Sequence, residues 1–501
     1  MSRILFRSLP LNPCPVEFWN LKNTDSIPNG EFHDEWMRQN WSRRDNMFQS
    51  ELRLLNGYLY SDFIAVTTTV QYKTGQHAFC RYFDCHRQEI QNSTWQSSFF
   101  PLNTVYCVRR AGAKFVSVSF EEDGEYAEPP VPLIYRAFEE PVHELGMCVG
   151  PFYGPEKRWL TLIEFVEHMR IYDVSMFYFT IFDMDGYSRL ALDEYERQGL
   201  AETTVVQTEY DQLDWMFHLM QLHDCFHRSR SHSKWVINAD IDERFVMLHP
   251  DLTLIELLRS QNESVGELNF QARRVQKSQH SPKKYTSLLA AINNMEALKF
   301  LKTAATQIWE SSKSIYRPEK VAVQTYHHTH LQYPGIIVKN VPRDVALFRH
   351  YRITSISNSI GNGWIYGDNF TDTGLEPGLE KLLVHKVANM IIQIIFTIFP
   401  IVIMCKAKNK KSCDLVPRSY PDAQRQPIAS EAPPSIGKSE TTGNSALSYP
   451  VHPDDKSKIN DKLKSKIDEP AAKPRHDKEI SINAAFELDK GNRSASASVI
   501  V

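Results

Sequence analysis

The feature that most constrains this chain is an alternation of apolar runs and helical segments between residues 147 and 259. Met176-Phe-Tyr-Phe-Thr-Ile-Phe182, Thr203-Thr-Val-Val206 and Lys234-Trp-Val-Ile-Asn238 read as strands. From Trp159 to Tyr172, Leu160, Ile163, Val166 and Ile171 recur at helical spacing. Arg189–Arg197, Leu213–His227 and Leu252–Arg259 read as further helices. Strands alternating with helices of this length predict a parallel sheet covered on both faces, an α/β fold. Ligands bind such sheets at the carboxyl ends of the strands, so the residues that follow each strand carry the functional argument.

Outside this series the chain has other characters. Residues 1–60 are rich in Pro, Asn and Trp and read as irregular, with no apolar run long enough for a signal peptide. Residues 61–142 hold β-branched stretches such as Phe63-Ile-Ala-Val-Thr-Thr-Thr-Val70, a β-rich N-terminal region. The α/β region is expected over 143–380. Val387 to Cys405 is almost wholly apolar and is followed by Lys406, Lys408, Lys410 and Lys411. About nineteen helical residues reach roughly 28 Å, close to a bilayer core, so 387–405 is expected as one transmembrane helix. The lysines would lie on the cytosolic side. Residues 406–501, polar and Pro-rich, are expected to be a disordered tail.

A net charge of −3 argues against a protein that binds chiefly through nucleic-acid phosphates. Eight cysteines are too few for a disulfide scaffold and are not spaced as zinc motifs, so buried thiols are the plain expectation. Sequons at Asn40, Asn92, Asn262 and Asn369 would suit a secretory compartment, where disulfides form instead.

The chemistry is concentrated in Trp235-Val-Ile-Asn-Ala-Asp-Ile-Asp-Glu-Arg244. In an extended backbone Asp240 and Asp242 project from one face and, with Glu243 adjacent, suit a divalent cation that also holds phosphate oxygens. The plain alternative is an acidic strand end. Asp183-Met-Asp185 is a rival pair after the 176–182 strand, and spacing alone does not separate the two. Asp211, Asp214, Gln221, His223 and Asp224 surround the helix that leads to the Asp240 strand and are further contact candidates. Tyr326-His-His-Thr-His330 offers imidazole ligands, and Arg349-His-Tyr-Arg352 offers two guanidinium groups suited to a diphosphate.

Several of these stretches, in order, resemble glycosyltransferase family 92. They are Cys148-Val-Gly-Pro-Phe-Tyr-Gly154, Glu164-Phe-Val-Glu-His168, Phe177 to Asp185, Gln221-Leu-His-Asp-Cys225, His232 to Arg244, Arg317-Pro-Glu-Lys320 and His350-Tyr-Arg352. The resemblance covers about Gly146 to Arg352. It implies a GT-A fold, with a Rossmann-like nucleotide-sugar-binding half, and inverting transfer of a hexose, galactose foremost, from a UDP-sugar to a glycan acceptor. It also implies that Asp240 and Asp242 hold Mn2+ on the donor diphosphate. Asp183 falls where the family often has Asn, which favours the Asp240 pair. His327 aligns as a third metal ligand, with His328 in competition. Val149, Gly150, Pro151, Asp183, Asp211, Arg349 and Arg352 are then the expected donor-binding residues. The inverting base is one of Glu243, Glu267 and Asp344, unranked. Family members usually carry an N-terminal anchor, whereas the apolar segment here follows the catalytic region. A membrane protein of the Golgi or secretory pathway, with a lumenal catalytic domain, is the resulting expectation. The competing readings are a metal-dependent phosphotransferase or hydrolase using the same carboxylates, and an inactive glycan-binding membrane protein.

Overall fold

In a computed structural model the structure describes residues 14–15, 17–40, 52–69, 75–154, 156–206, 215–306, 312–353 and 371–407. The first sheet joins β1 (Leu54–Leu59), β2 (Phe63–Thr68), β3 (His77–Phe83), β4 (Trp95–Ser98), β5 (Thr104–Val108), β6 (Phe115–Ser119) and β7 (Val131–Tyr135) in the order β4-β3-β6-β7-β1-β2-β5. It begins inside the stretch expected to be irregular. That stretch also forms helix α1 (Gly30–Asn40). Phe32, Trp36 and Met37 of α1 pack on Tyr58, Phe63, Phe100 and Tyr106. A stripe of three apolar residues is weak as a sequence signal and becomes a helix because a sheet face is there to cover it.

The central sheet contains β8 (His143–Val149), β9 (Met176–Ile181), β10 (Ala201–Val205), β11 (Ser233–Ala239), β13 (Val265–Phe270), β16 (Lys313–Tyr316) and β19 (Ile337–Asn340), ordered β10-β9-β8-β11-β16-β13-β19. Strands β10, β9, β8 and β11 are parallel. Alternation assigns their two faces. Leu145, Met147, Val149, Phe177, Phe179, Trp235 and Ile237 join one core with α2 (Trp159–Ile171) and α3 (Gly186–Arg197). Cys148, Met176, Tyr178 and Val236 join another with Cys225 and Phe226 of α4 (Trp215–Ser229). Burial on both faces is why these strands read as continuous apolar runs. The parallel order ends at β11, where β16 runs antiparallel. Between them in sequence, β12, β14 and β15 enter a five-stranded sheet, β12-β20-β14-β15-β21, while β13 returns to the central one. Those strands are β12 (Glu243–Met247), β14 (Ala272–Lys277), β15 (Lys302–Ala305), β20 (Ala346–Ile353) and β21 (Thr371–Asp372). A hairpin, β17 (Val321–Gln324) and β18 (Thr329–Gln332), completes the strands.

The expected membrane span opens inside the α/β core. Residues 377–407 form one helix, which takes the label α8 once the short helices α5 (Leu254–Arg259), α6 (Leu288–Asn293) and α7 (Glu296–Lys299) are counted. Its first half belongs to the α/β core: Leu383, Val387, Met390 and Ile391 are buried with the α2 and α3 residues, and Gln393 Nε2 donates to Glu194 Oε1 of α3 at 2.9 Å. The cover comes from the preceding domain. Among the described residues no helix is long and apolar enough to cross a membrane. The expected tail lies outside the described residues from residue 408 onward.

The cysteines are corrected. Cys14–Cys85, Cys80–Cys107 and Cys148–Cys225 are disulfides. Each pair joins residues 27 to 77 positions apart, a proximity set by sheet pairing and helix packing that spacing along the chain does not show.

Candidate functional site

Strands β8 and β11 run side by side, Val149 opposite Ala239, and the chain leaves both at one edge. Gly150 N donates to Ala239 O at 3.1 Å. A Cβ at Gly150 would overlap Asp240 Oδ1, so a side chain there would push the Asp240 carboxylate out of its place. Asp240 and Asp242 do not project from an extended strand. They bracket a turn in which Glu243 N donates to Asp240 O at 2.9 Å, and Asp240 N donates to Glu243 Oε2 at 2.8 Å. Strand β12 then begins, with Glu243 opposite His350 of β20.

This turn gathers a charged cluster. Lys313, the first residue of β16, places Nζ 3.2 Å from Asp240 Oδ2 and 2.9 Å from Glu243 Oε2. His218 Nε2 of α4 lies 3.5 Å from Asp240 Oδ1. His350 faces both neighbours, Nε2 at 3.5 Å from Asp242 Oδ2 and Nδ1 at 3.5 Å from Glu243 Oε1. Burial opposes ionisation of Asp240, but Lys313, His218 and His350 outweigh it and hold the carboxyl below the usual range. Asp242 is lowered too, burial again opposing and His350 prevailing. Burial raises Glu243, with Lys313 pulling the other way. Asp240 and Asp242 keep 33% and 35% of their side chains exposed while Glu243 keeps 1%. The first two can therefore meet a ligand, and Glu243 holds its neighbours in place.

His327 sits in the β17–β18 turn, half-buried, with Nδ1 2.8 Å from Ser312 O. Donation from Nδ1 leaves the lone pair on Nε2, the arrangement common in metal-ligating histidines. His328, beside it, is exposed. Two carboxylates and an imidazole are a donor set that fits Mn2+. Their ligand atoms do not all lie within 4.8 Å of one another. Among the described residues that spacing is met by Cys14, Cys85 and His86, where a disulfide already occupies both sulfurs.

The remaining expected residues divide. Val149, Gly150 and Pro151 lie at the cluster, and Gln221 Nε2 donates to Val149 O at 3.0 Å. Arg352, exposed, has its charge felt at Asp242. Arg349 is corrected: one residue from His350 along β20, it turns to the opposite face. There it donates to Gly374 O at 2.6 Å, so it does not grip a diphosphate beside Asp242. The Asp183 rival is corrected as well. Asp185 caps α3, accepting from Tyr187 N and Ser188 N at 3.0 and 3.1 Å and pairing with Lys157, while Asp183 is exposed beyond β9. Asp211 and Asp214 lie outside the described residues. His223 Nε2 meets Gln324 O at 3.1 Å within the core, and Asp224 is buried against the first sheet.

Two base candidates are displaced. Asp344 is exposed in a turn before β20, six residues ahead of His350. Glu267 is fully buried and its Oε2 accepts from Thr329 N and Oγ1 at 2.6 and 2.5 Å. Burial pushes its pKa up to about 7 against those bonds. A carboxyl raised on folding stabilises fully below its unfolded pKa, and that contribution is lost as pH rises through about 7. His168, lowered by burial to about 3, has the opposite sign and loses its contribution as pH falls. Comparison with Glu267→Gln cancels the histidine term. From pH 4.5 to 8 the wild type should lose about 3 kcal/mol of unfolding free energy relative to that variant. Parallel denaturation curves at both pH values would refute the protonated Glu267.

Lys313, His218 and His350 are the site residues that sequence reasoning did not assign. His350 stood within a noted motif. Lys313 gives no local signal, because a lysine opening a short strand is commonplace until strand register brings it to Asp240.

Comparison with curated proteins finds no match. One solved structure, titled "Crystal Structure of a Mycobacterial Protein", is similar over 44% of this chain and 70% of its own, with 12% identity and a TM-score of 0.24. At that level no shared fold is inferred. The model of the family described as glycosyltransferase family 92 matches residues 143–377, from the first residue of β8 to the first of α8. That span contains the whole cluster around Asp240 and is the part of the chain similar to glycosyltransferase family 92.

Proposed function

We propose that this domain has the GT-A arrangement and transfers a hexose, galactose foremost, from a UDP-sugar to a glycan acceptor with inversion. The observation that carries the reading is the pair of part-exposed carboxylates, Asp240 and Asp242, at the joined ends of β8 and β11, where Gly150 leaves room for the Asp240 carboxylate. Asp240, Asp242 and His327 are the residues that would hold Mn2+. When bound, the ion would offset charge on the diphosphate as the sugar–phosphate bond breaks. Glu243 orients Asp240 through its backbone N–H, and Gly150 and Pro151 line the approach to the strand ends. Arg352 adds positive charge on the side of Asp242. Hydrolysis of a UDP-sugar panel, with and without Mn2+, tests the reading. UDP-galactose should turn over, and a chelator should stop it. Turnover of no UDP-sugar, or turnover indifferent to chelation, would count against it.

The three disulfides support a secretory lumen as the working compartment. Asn92 and Asn262 are exposed, where a glycosylating enzyme can reach them. A glycosidase-induced mobility shift that requires Asn92 or Asn262 is expected for the protein expressed in a secretory cell. Unmodified asparagines at both positions would remove the assignment.

A further inference from the structure

Asp240 already has a cation. Lys313 is 3% exposed and divides its ammonium between Asp240 and Glu243. It is held at the edge of the central sheet because Ser314, its neighbour, pairs with Asn238 of β11. The residue before it, Ser312, carries the carbonyl that orients His327. One short segment thus fixes both the ammonium on Asp240 and the imidazole expected to share a metal with it. The ligand atoms of Asp240, Asp242 and His327 do not gather within 4.8 Å while the ammonium is in place.

We propose that Lys313 is a positioning residue that occupies the charge position at Asp240 until donor arrives, making divalent-cation binding conditional on the donor diphosphate. This rests on the glycosyltransferase reading. A monovalent and a divalent cation a few ångströms apart repel strongly in a site from which water is partly excluded. A diphosphate gives the ammonium a second anion to move to, so cation and donor each favour the other. Such coupling is reciprocal and is typically about five- to 150-fold.

The test is titration of the full chain with Mn2+ alone and with Mn2+ plus UDP, for the wild type, Lys313→Met and Lys313→Arg. Wild type should bind Mn2+ at least about tenfold more weakly without UDP than with it. Lys313→Met should bind Mn2+ alone about tenfold more tightly than wild type, while Lys313→Arg, which keeps the charge, should behave as wild type. A lysine with a merely structural role predicts weaker Mn2+ binding in the Met variant. An unchanged or lower Mn2+ affinity in folded Lys313→Met overturns the proposal. So does equal Mn2+ affinity of the wild type with and without UDP, a result that needs no variant to fold. If no protein binds Mn2+ even with UDP present, the glycosyltransferase metal site falls and the proposal with it, an outcome distinct from intact Mn2+–UDP binding without coupling.

Discussion

Replacing Asp242 by Asn should lower donor turnover about a hundredfold or more while the protein stays folded. Asp242 reaches the surface of the cluster, and its backbone oxygen, not its carboxylate, accepts the strand bond from Tyr351 N at 2.7 Å. An amide of the same shape therefore keeps the turn. What it removes is one negative charge, whose partner is His350 at 3.5 Å. Fixed charge aimed at a reacting diphosphate needs no reorganisation during the reaction, which is why its loss is large in rate and small in stability. Asp183→Asn is the matched control, since no charged group of the cluster pairs with Asp183 and the variant should retain near-normal turnover. The comparison is a steady-state assay of UDP-sugar hydrolysis with Mn2+, alongside circular dichroism. Near-normal turnover in Asp242→Asn, or loss in Asp183→Asn instead, would move the site away from the β11 end.

The largest loss of stability is expected at Asp224. Its Oδ1 accepts from Asn56 Nδ2, Tyr58 Oη and Thr67 Oγ1 at 2.9, 3.0 and 2.6 Å, and its Oδ2 from Arg228 Nη2 at 3.0 Å. Both ion-pair partners are almost fully buried. Asp224→Ala would strand the Arg228 guanidinium in the interior, still bonded to Phe179 O but with no counter-charge in this pair, and leave three donors short of an acceptor. Breaking a buried pair from one side costs about 3–5 kcal/mol. Asp224→Asn retains an acceptor oxygen without the charge and should lose less. Tyr58→Phe, which removes one hydroxyl, should cost about 1 kcal/mol. Denaturant midpoints of the three variants test the order. A loss under about 1 kcal/mol for Asp224→Ala would show that the first sheet is not tied to α4 through this carboxylate.

Asp224 also shows where sequence reading stops. Placed on a helix beside a suspected site, it qualified as a ligand contact, and nothing local said that strands 157 to 168 residues earlier would claim it. Asp185 is similar: a carboxylate after a strand is a metal candidate until the next helix takes it as its cap. The helix over 387–391 was apolar enough for lipid and is buried against α2 and α3 instead, since both surroundings reward the same side chains.

What the sequence determined by itself was the periodicity-driven part. Strands buried on both faces must be apolar, the helices that cover them must repeat near 3.6 residues, and the chemistry must follow a strand end. Those demands are local, and they located β9, β10, β11 and the carboxylates that follow β11. The motifs that resemble the family, also contiguous, fall within the residues that the family model matches. Tertiary structure decided everything that depends on register between distant segments: the three disulfides, the turn of Arg349 away from the site and of His350 towards it, the seat of Lys313 on Asp240, and the burial of Glu267. Each is fixed by which strand lies beside which. That choice is made by the sum of many contacts across the sheet, so no single residue carries its signature.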